Sequence, residues 1–342
     1  GSPVDGRGLA MVEAGTSLKP RGTPPRWLDN GGDGDGRWRL GRWTRAGVSL
    51  VLLALLAQRV EWHGVTAALR DLRPTPFALG LTVFFAAQLL SAAKWQWIAR
   101  SLGCGAGLSR HVRLYFAGMF LSLFLPGFVG GDLFRASGLA SGRGWMPTKA
   151  TLWSVFLERL TGLWGLLLLL AVGLCLHGPA DWLRKAGAVG GLVVCGAPWV
   201  YARLTARDRA SRDRPWRTAI AYDRRRGGAV LLISFLVQAL YACVHLLVAT
   251  ALGIGMGWGP WLWIAPTVGL VASLPVSLGG LGPREWGYLV TLEWAGLDRE
   301  RAVAFAATWL LLVTVASLAG GIGLLGETRP GSLHESPGDP SD

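Results

Sequence analysis

The sequence predicts an all-α polytopic membrane protein, with about six spanning helices and two re-entrant helical hairpins in an inverted-topology repeat. Three observations carry this expectation. Of the 342 residues, 51% are hydrophobic and only 16% are charged, and apolar segments near the roughly 20 residues that a spanning helix needs recur along the chain. Two stretches share one punctuation: Leu121–Gly138 reads LSLFLPGFVGGDLFRASG and Leu270–Gly287 reads LVASLPVSLGGLGPREWG. Arginine, finally, is concentrated at two places, near Arg37 to Arg45 and in a loop over 203–227.

Taken in order, residues 1–42 form a Pro-, Gly- and charge-rich tail, too polar to bury a core and expected to be disordered. Asp29, Asp33 and Asp35 lack the closing Glu of a calcium loop. Candidate spans follow at 45–62, 75–99, 149–176, 186–204, 229–253 and 301–326. The first contains the run Val48 to Ala57, with no small-residue cleavage site behind it, so a cleavable signal peptide is not expected. The motif segments at 109–141 and 259–296 are long, broken and semi-polar. Residues 327–342 form a second tail expected to be disordered.

At a fixed offset of 149 positions the two motifs match at Leu125/Leu274, Pro126/Pro275, Gly130/Gly279, Gly131/Gly280, Arg135/Arg284 and Gly138/Gly287. Leucine and glycine coincide cheaply in an apolar chain; a proline, a glycine pair and an arginine in one register do not. Interrupted hydrophobic segments at corresponding points of two halves point to the binding site of a repeat-built transporter.

The net charge of +13 does not imply nucleic acid, because no basic face is interleaved with aromatics. The loop from Arg203 to Arg226 holds nine Arg against Asp208, Asp213 and Asp223, and is read as cytoplasmic by the positive-inside rule. With the N-terminal Arg cluster and Lys94, Arg100, Arg110 and Arg113 also inside, the loop stays inside only if the first motif dips in and returns. The second motif then dips from the opposite face. This gives a multi-pass protein of the cell (plasma) membrane with both termini cytoplasmic.

Cys104, Cys175, Cys195 and Cys243 are scattered singly and read as small buried hydrophobes. No metal motif or nucleotide loop occurs, and no cofactor is expected. Gln238 and His245 share a helix face, more in keeping with interhelical hydrogen bonds than with a ligand role. Trp95, Trp97, Trp182, Trp258, Trp261 and Trp263 read as an interfacial belt.

The charges inside the membrane segments are the candidate site. A mid-membrane charge costs about 2.5–3.5 kcal/mol even on a lenient scale, so it has a partner or a wet cavity. Asp132 and Arg135 follow Gly130 and Gly131; Glu158 and Arg159 lie in the next span; Arg284 and Glu285 follow Gly279, Gly280 and Gly282. A helix starting after Gly-Gly offers free N–H groups to an anion, with Arg135 or Arg284 as a forked partner. Pro126 and Pro275 end the incoming half-helices, and Gly127 and Ser277 complete the two breaks. Against this stand close helix packing by the glycines and mutual neutralisation of the charges as buried ion pairs.

These motifs, PGFVGGDLFRA, SVFLERLTGLWGLLLLL and PVSLGGLGPREWGYLVTL, resemble the lysylphosphatidylglycerol synthase transmembrane-region family, also called flippase-like proteins, over about residues 45–326. The family pattern matches at Pro126, Gly127, Gly130, Gly131, Asp132 and Arg135, then at Glu158 and Arg159, then at Gly279, Gly280, Gly282, Arg284 and Glu285. Phe128 and Pro283 depart from it. The resemblance implies a flippase-like domain over 43–326 that moves a lipid or lipid-linked headgroup between leaflets, with an anionic membrane lipid as partner. In founding members a soluble aminoacyl transferase follows the membrane region; here only a short tail follows Glu327, so lysine transfer, and enzymatic activity generally, is not expected. Two alternatives stay open: an integral membrane enzyme acting on a polyprenyl-phosphate-linked substrate, and a membrane anchor for a synthase or glycosyltransferase. A homo-oligomer is compatible with either.

Overall fold

In a computed structural model the described residues are 70, 72–123, 129–140, 147–207, 224–273 and 283–326, and their regular structure is entirely α-helical. The chain runs α1 (Pro74–Ser101), α2 (Leu108–Ser122), α3 (Val129–Leu139), α4 (Lys149–His177), α5 (Asp181–Arg207), α6 (Arg224–Ala251), α7 (Trp258–Ala272), α8 (Pro283–Trp294) and α9 (Arg299–Gly326). The expected spans at 75–99, 149–176, 229–253 and 301–326 fall on α1, α4, α6 and α9. These same four helices are long and apolar enough to cross a membrane, over Pro74–Ser101, Lys149–His177, Arg226–Ala251 and Arg299–Gly321. The segment 186–204 is helical within α5, which is not one of those four. The expected first span at 45–62, both tails and most of the Arg-rich loop lie outside the described residues.

Local signals explain several boundaries. Pro74 starts α1, where its missing N–H costs nothing. Thr148 caps α4: its hydroxyl accepts the Thr151 N–H at 3.2 Å, while the Thr148 N–H is donated to the Thr151 hydroxyl at 3.0 Å. The ends of α1 and α6 are built alike. Cys104 N–H reaches the Ala99 carbonyl at 2.9 Å and Gly103 N–H the Arg100 carbonyl at 3.1 Å; Ile254 and Gly253 do the same to Ala249 and Thr250 at 2.9 and 3.1 Å. Both closures require a left-handed residue, supplied by Gly103 (φ 78°) and Gly253 (φ 68°). Gly103→Ala and Gly253→Ala are each expected to cost about 1 kcal/mol of stability, from the strain of alanine at positive φ. Thermal melting of the two single variants checks this, and unequal shifts would count against equivalent turns.

This likeness extends along the chain. Helices of 28, 15, 11 and 29 residues (α1 to α4) are followed, after α5, by helices of 28, 15, 12 and 28 (α6 to α9). Starts at 74, 108 and 149 recur at 224, 258 and 299. One buried contact recurs with its partners exchanged: Trp95 of α1 meets His111 of α2 edge-on at 4.6 Å, and His245 of α6 meets Trp261 of α7 at 6.0 Å. Helix α5 packs chiefly on α4, whereas α1, α4 and α6 all pack on one another.

The main core sits among α1, α6, α7, α8 and α9, around Phe84, Val244, Trp261, Tyr288, Phe305 and Leu312; a smaller one joins Trp95, Ala136 and Val155. Two sequence expectations are corrected by this packing. Trp97, Trp182 and Trp258 are exposed, as belt residues would be, but Trp95, Trp261 and Trp263 are buried in the helix core. Cys175, Cys195 and Cys243 are exposed on the helices, not buried, and Cys104 is half-buried. Burial pushes the Cys104 thiol up, away from the reactive thiolate form.

Candidate functional site

Helix α3 is short, and close approach to α2 positions its charges. A Cβ on Gly131 would overlap the Gly118 carbonyl and the Ser122 hydroxyl, so glycine is needed for α3 to seat against α2. Arg110 of α2 donates to the Gly138 carbonyl at 2.6 Å, fixing the far end of α3. The N-terminal part of α3 then aims Asp132 and Arg135 at α4, one turn apart on one face.

There they enter a linear chain of alternating charge. Lys94 Nζ of α1 stands 3.5 Å from Glu158 Oε1, and Arg135 Nη2 3.3 Å from Glu158 Oε2. Arg135 Nη1 also reaches Asp132 Oδ1 at 3.3 Å. Arg159 closes the chain with a fork, Nη2 to Asp132 Oδ1 at 2.8 Å and Nε to Oδ2 at 2.9 Å. Three cations thus share two carboxylates. Side-chain exposure is 42% at Arg159, 17% at Asp132 and 2% at Lys94, so Arg159 is the exposed end of the chain.

Arg135 is held on both ring faces as well as at its fork. Its guanidinium carbon lies 4.3 Å from the Trp95 ring centroid and 4.2 Å from that of Tyr115, a double cation–π contact that fixes the plane of the fork. Lys94 is equally held: besides Glu158 it donates to the Ser234 hydroxyl at 3.1 Å and the Glu158 carbonyl at 3.3 Å. From sequence alone Lys94 is expected to mark the cytoplasmic end of a span. It is instead buried, paired with Glu158 of α4, and says nothing about orientation.

A cavity of about 630 Å³ opens beside this chain and is lined by Lys94, Asp132, Arg135, Glu158 and Arg159, with Arg284 from α8. Of the Arg284–Glu285 pair, Arg284 is the one that reaches the cavity lining. The structure therefore brings together Asp132, Arg135, Glu158, Arg159 and Arg284, drawn from both halves. Pro126, Gly127, Pro275, Ser277, Gly279, Gly280 and Gly282 lie outside the described residues.

The cavity also holds residues that motif reading did not select. Gln88 donates to the Tyr241 hydroxyl at 2.9 Å, and Gln238 to the Gly162 carbonyl at 3.3 Å. His245 meets the Tyr288 hydroxyl at 2.9 Å through Nε2. Gln238 and His245 thus make the interhelical bonds their shared face suggested. Gln88 and Gln238 are 150 positions apart, on equivalent turns of α1 and α6, and that register could have found both.

A family model described as the lysylphosphatidylglycerol synthase TM region matches residues 42–321. The chain belongs to the lysylphosphatidylglycerol synthase TM region family. Neither a comparison with curated proteins nor one with solved structures finds a match. Membership in this family, with four helices able to cross a membrane, makes the chain a membrane protein and ties its function to membrane lipids. The matched region includes every residue of the charge chain and both halves of the repeated helix order.

Proposed function

We propose that this family member moves an anionic lipid headgroup between leaflets of the cell membrane, with the cavity as its site. The observation that carries the reading is the charge balance of the lining. Among the described residues the chain from Lys94 to Arg159 begins and ends in a cation and has three positive groups for two carboxylates, and Arg284 of the other half lines the same cavity. In surroundings of low dielectric, excess positive charge is relieved best by a bound anion.

The half-exposed Arg159 meets the phosphate first, sharing its fork between the ligand and Asp132. Displacement of Asp132 loosens the tie between α3 and α4, and Arg135, on the same turn of α3, then follows the phosphate. Arg284 on α8 receives it from the other half. The acyl tails stay in the bilayer throughout. This transfer accords with six spans, the two pairs α2–α3 and α7–α8 as re-entrant hairpins from opposite leaflets, and both termini cytoplasmic. The repeated helix lengths support that arrangement.

The test is leaflet exchange of tail-labelled phosphatidylglycerol in vesicles containing the full chain. Exchange is expected to exceed that of protein-free vesicles and to fall about tenfold or more in Arg159→Gln, the scale of losing one charge-assisted fork. Exchange no faster than in empty vesicles, from protein shown to be folded, would end this reading.

A further inference from the structure

The cavity has a second wall that the ionic chain does not use. At the positions 150 residues after Lys94, Glu158 and Arg159 the sequence carries Val244, Thr308 and Trp309. Charges in one half are thus answered by uncharged groups in the other. The His245 ring lies 3.8 Å from that of Trp309, tilted by 30°, and bonds Tyr288, while Gln88 bonds Tyr241. These five side chains and Gln238 all line the same cavity as Arg135 and Arg159.

Three occupants can be compared with this wall. An acyl chain has no use for phenol, imidazole and amide groups, whose burial against hydrocarbon costs free energy. A bare phosphate makes no use of aromatic faces, and it fills little of about 630 Å³, a volume in the range of small-molecule pockets. A sugar or cyclitol ring uses both features: its C–H faces pack on aromatic rings, and its hydroxyls match amide and phenol partners.

We propose that the cavity takes a phosphate ester of a sugar or cyclitol ring, its phosphate at Arg159 and Arg135 and its ring against Trp309 and Tyr241. The inference rests on the headgroup reading for the phosphate and adds the ring to it. The same chemistry comes either as a lipid headgroup or as a free sugar phosphate, and the experiment separates them.

Full-length protein in phosphatidylcholine vesicles is given trace tail-labelled phosphatidylinositol, phosphatidylglycerol or phosphatidic acid. Phosphatidylinositol is expected to exchange about tenfold faster than phosphatidic acid, the equivalent of one good aromatic contact, and Trp309→Leu to draw that ratio toward one. Because Trp309 is a core residue and its variant can fail to fold, the wild-type ratio decides. Equal exchange of the three lipids overturns the ring while headgroup transport stands. If no lipid exchanges, transport fails and a second arm applies, thermal protection of the detergent-solubilised protein. Greater protection by myo-inositol 1-phosphate than by equimolar inorganic phosphate supports the site with a free ester as ligand; equal protection overturns it.

Discussion

Glu158→Ala is expected to destabilise the protein by about 3–5 kcal/mol, the usual cost of removing one partner from a buried ion pair. The carboxylate serves two cations, Lys94 at 3.5 Å and Arg135 at 3.3 Å, whose side chains are 2% and 3% exposed. Without it Arg135 keeps Asp132, but Lys94 keeps only the neutral Ser234 hydroxyl and a main-chain carbonyl. The penalty is therefore mostly a stranded ammonium, and removing that ammonium should restore stability. A thermal-unfolding cycle in detergent over Glu158→Ala, Lys94→Met and the double variant checks this. The double variant is expected to be more stable than Glu158→Ala alone, with a coupling of about 1.5 kcal/mol or more. Additive losses would mean that the two residues stabilise the fold independently, and the charge chain would lose its first link.

Why such a pair was hard to read in the sequence is a matter of distance along the chain. The helices themselves were legible: runs such as Leu163 to Leu176 are apolar on every side, and reading them as spans needs no tertiary information. The motif register found Arg135 and Arg284 because it compares the chain with itself. Lys94, by contrast, lies 64 residues from Glu158 and looked like any basic residue near a span end. Its meaning depends on α1 packing against α4, which periodicity does not reveal. Trp95 misled in the same way, since a tryptophan near a helix end is interfacial by default and becomes a cation–π platform only once α3 is in place.

A stronger repeat signal was also present. Ala99, Leu102, Gly103, Gly105 and Gly107 recur at Ala249, Leu252, Gly253, Gly255 and Gly257, at an offset of 150 and not 149. These positions end α1 and α6 and lead into α2 and α7, so they fix the register of the long helices, whereas the Gly-Gly-Arg motifs fix that of α3 and α8. At the 150 register the divergence of Lys94, Glu158 and Arg159 from Val244, Thr308 and Trp309 becomes visible. The halves share a backbone plan, and their side chains divide into an ionic wall and an aromatic one.

Arg135 in the ionic wall is expected not to tolerate lysine. In Arg135→Lys the charge is kept, but a single ammonium replaces a planar fork that bonds Glu158 through both terminal nitrogens and Asp132 through one. The ammonium also lacks the flat face that lies between Trp95 and Tyr115. If Arg135 binds phosphate only after Asp132 is displaced, its orientation must be fixed beforehand, and a flexible lysine stem cannot provide that. Anionic-lipid exchange is therefore expected to fall about a hundredfold in Arg135→Lys, more than in Arg159→Gln, because two hydrogen bonds and the stacking are lost together. Measuring exchange and thermal unfolding on one preparation separates the causes. A variant that melts near the wild-type temperature yet exchanges poorly assigns Arg135 to the headgroup. One that exchanges normally removes Arg135 from the transport path and leaves Arg159 as the phosphate contact on this wall.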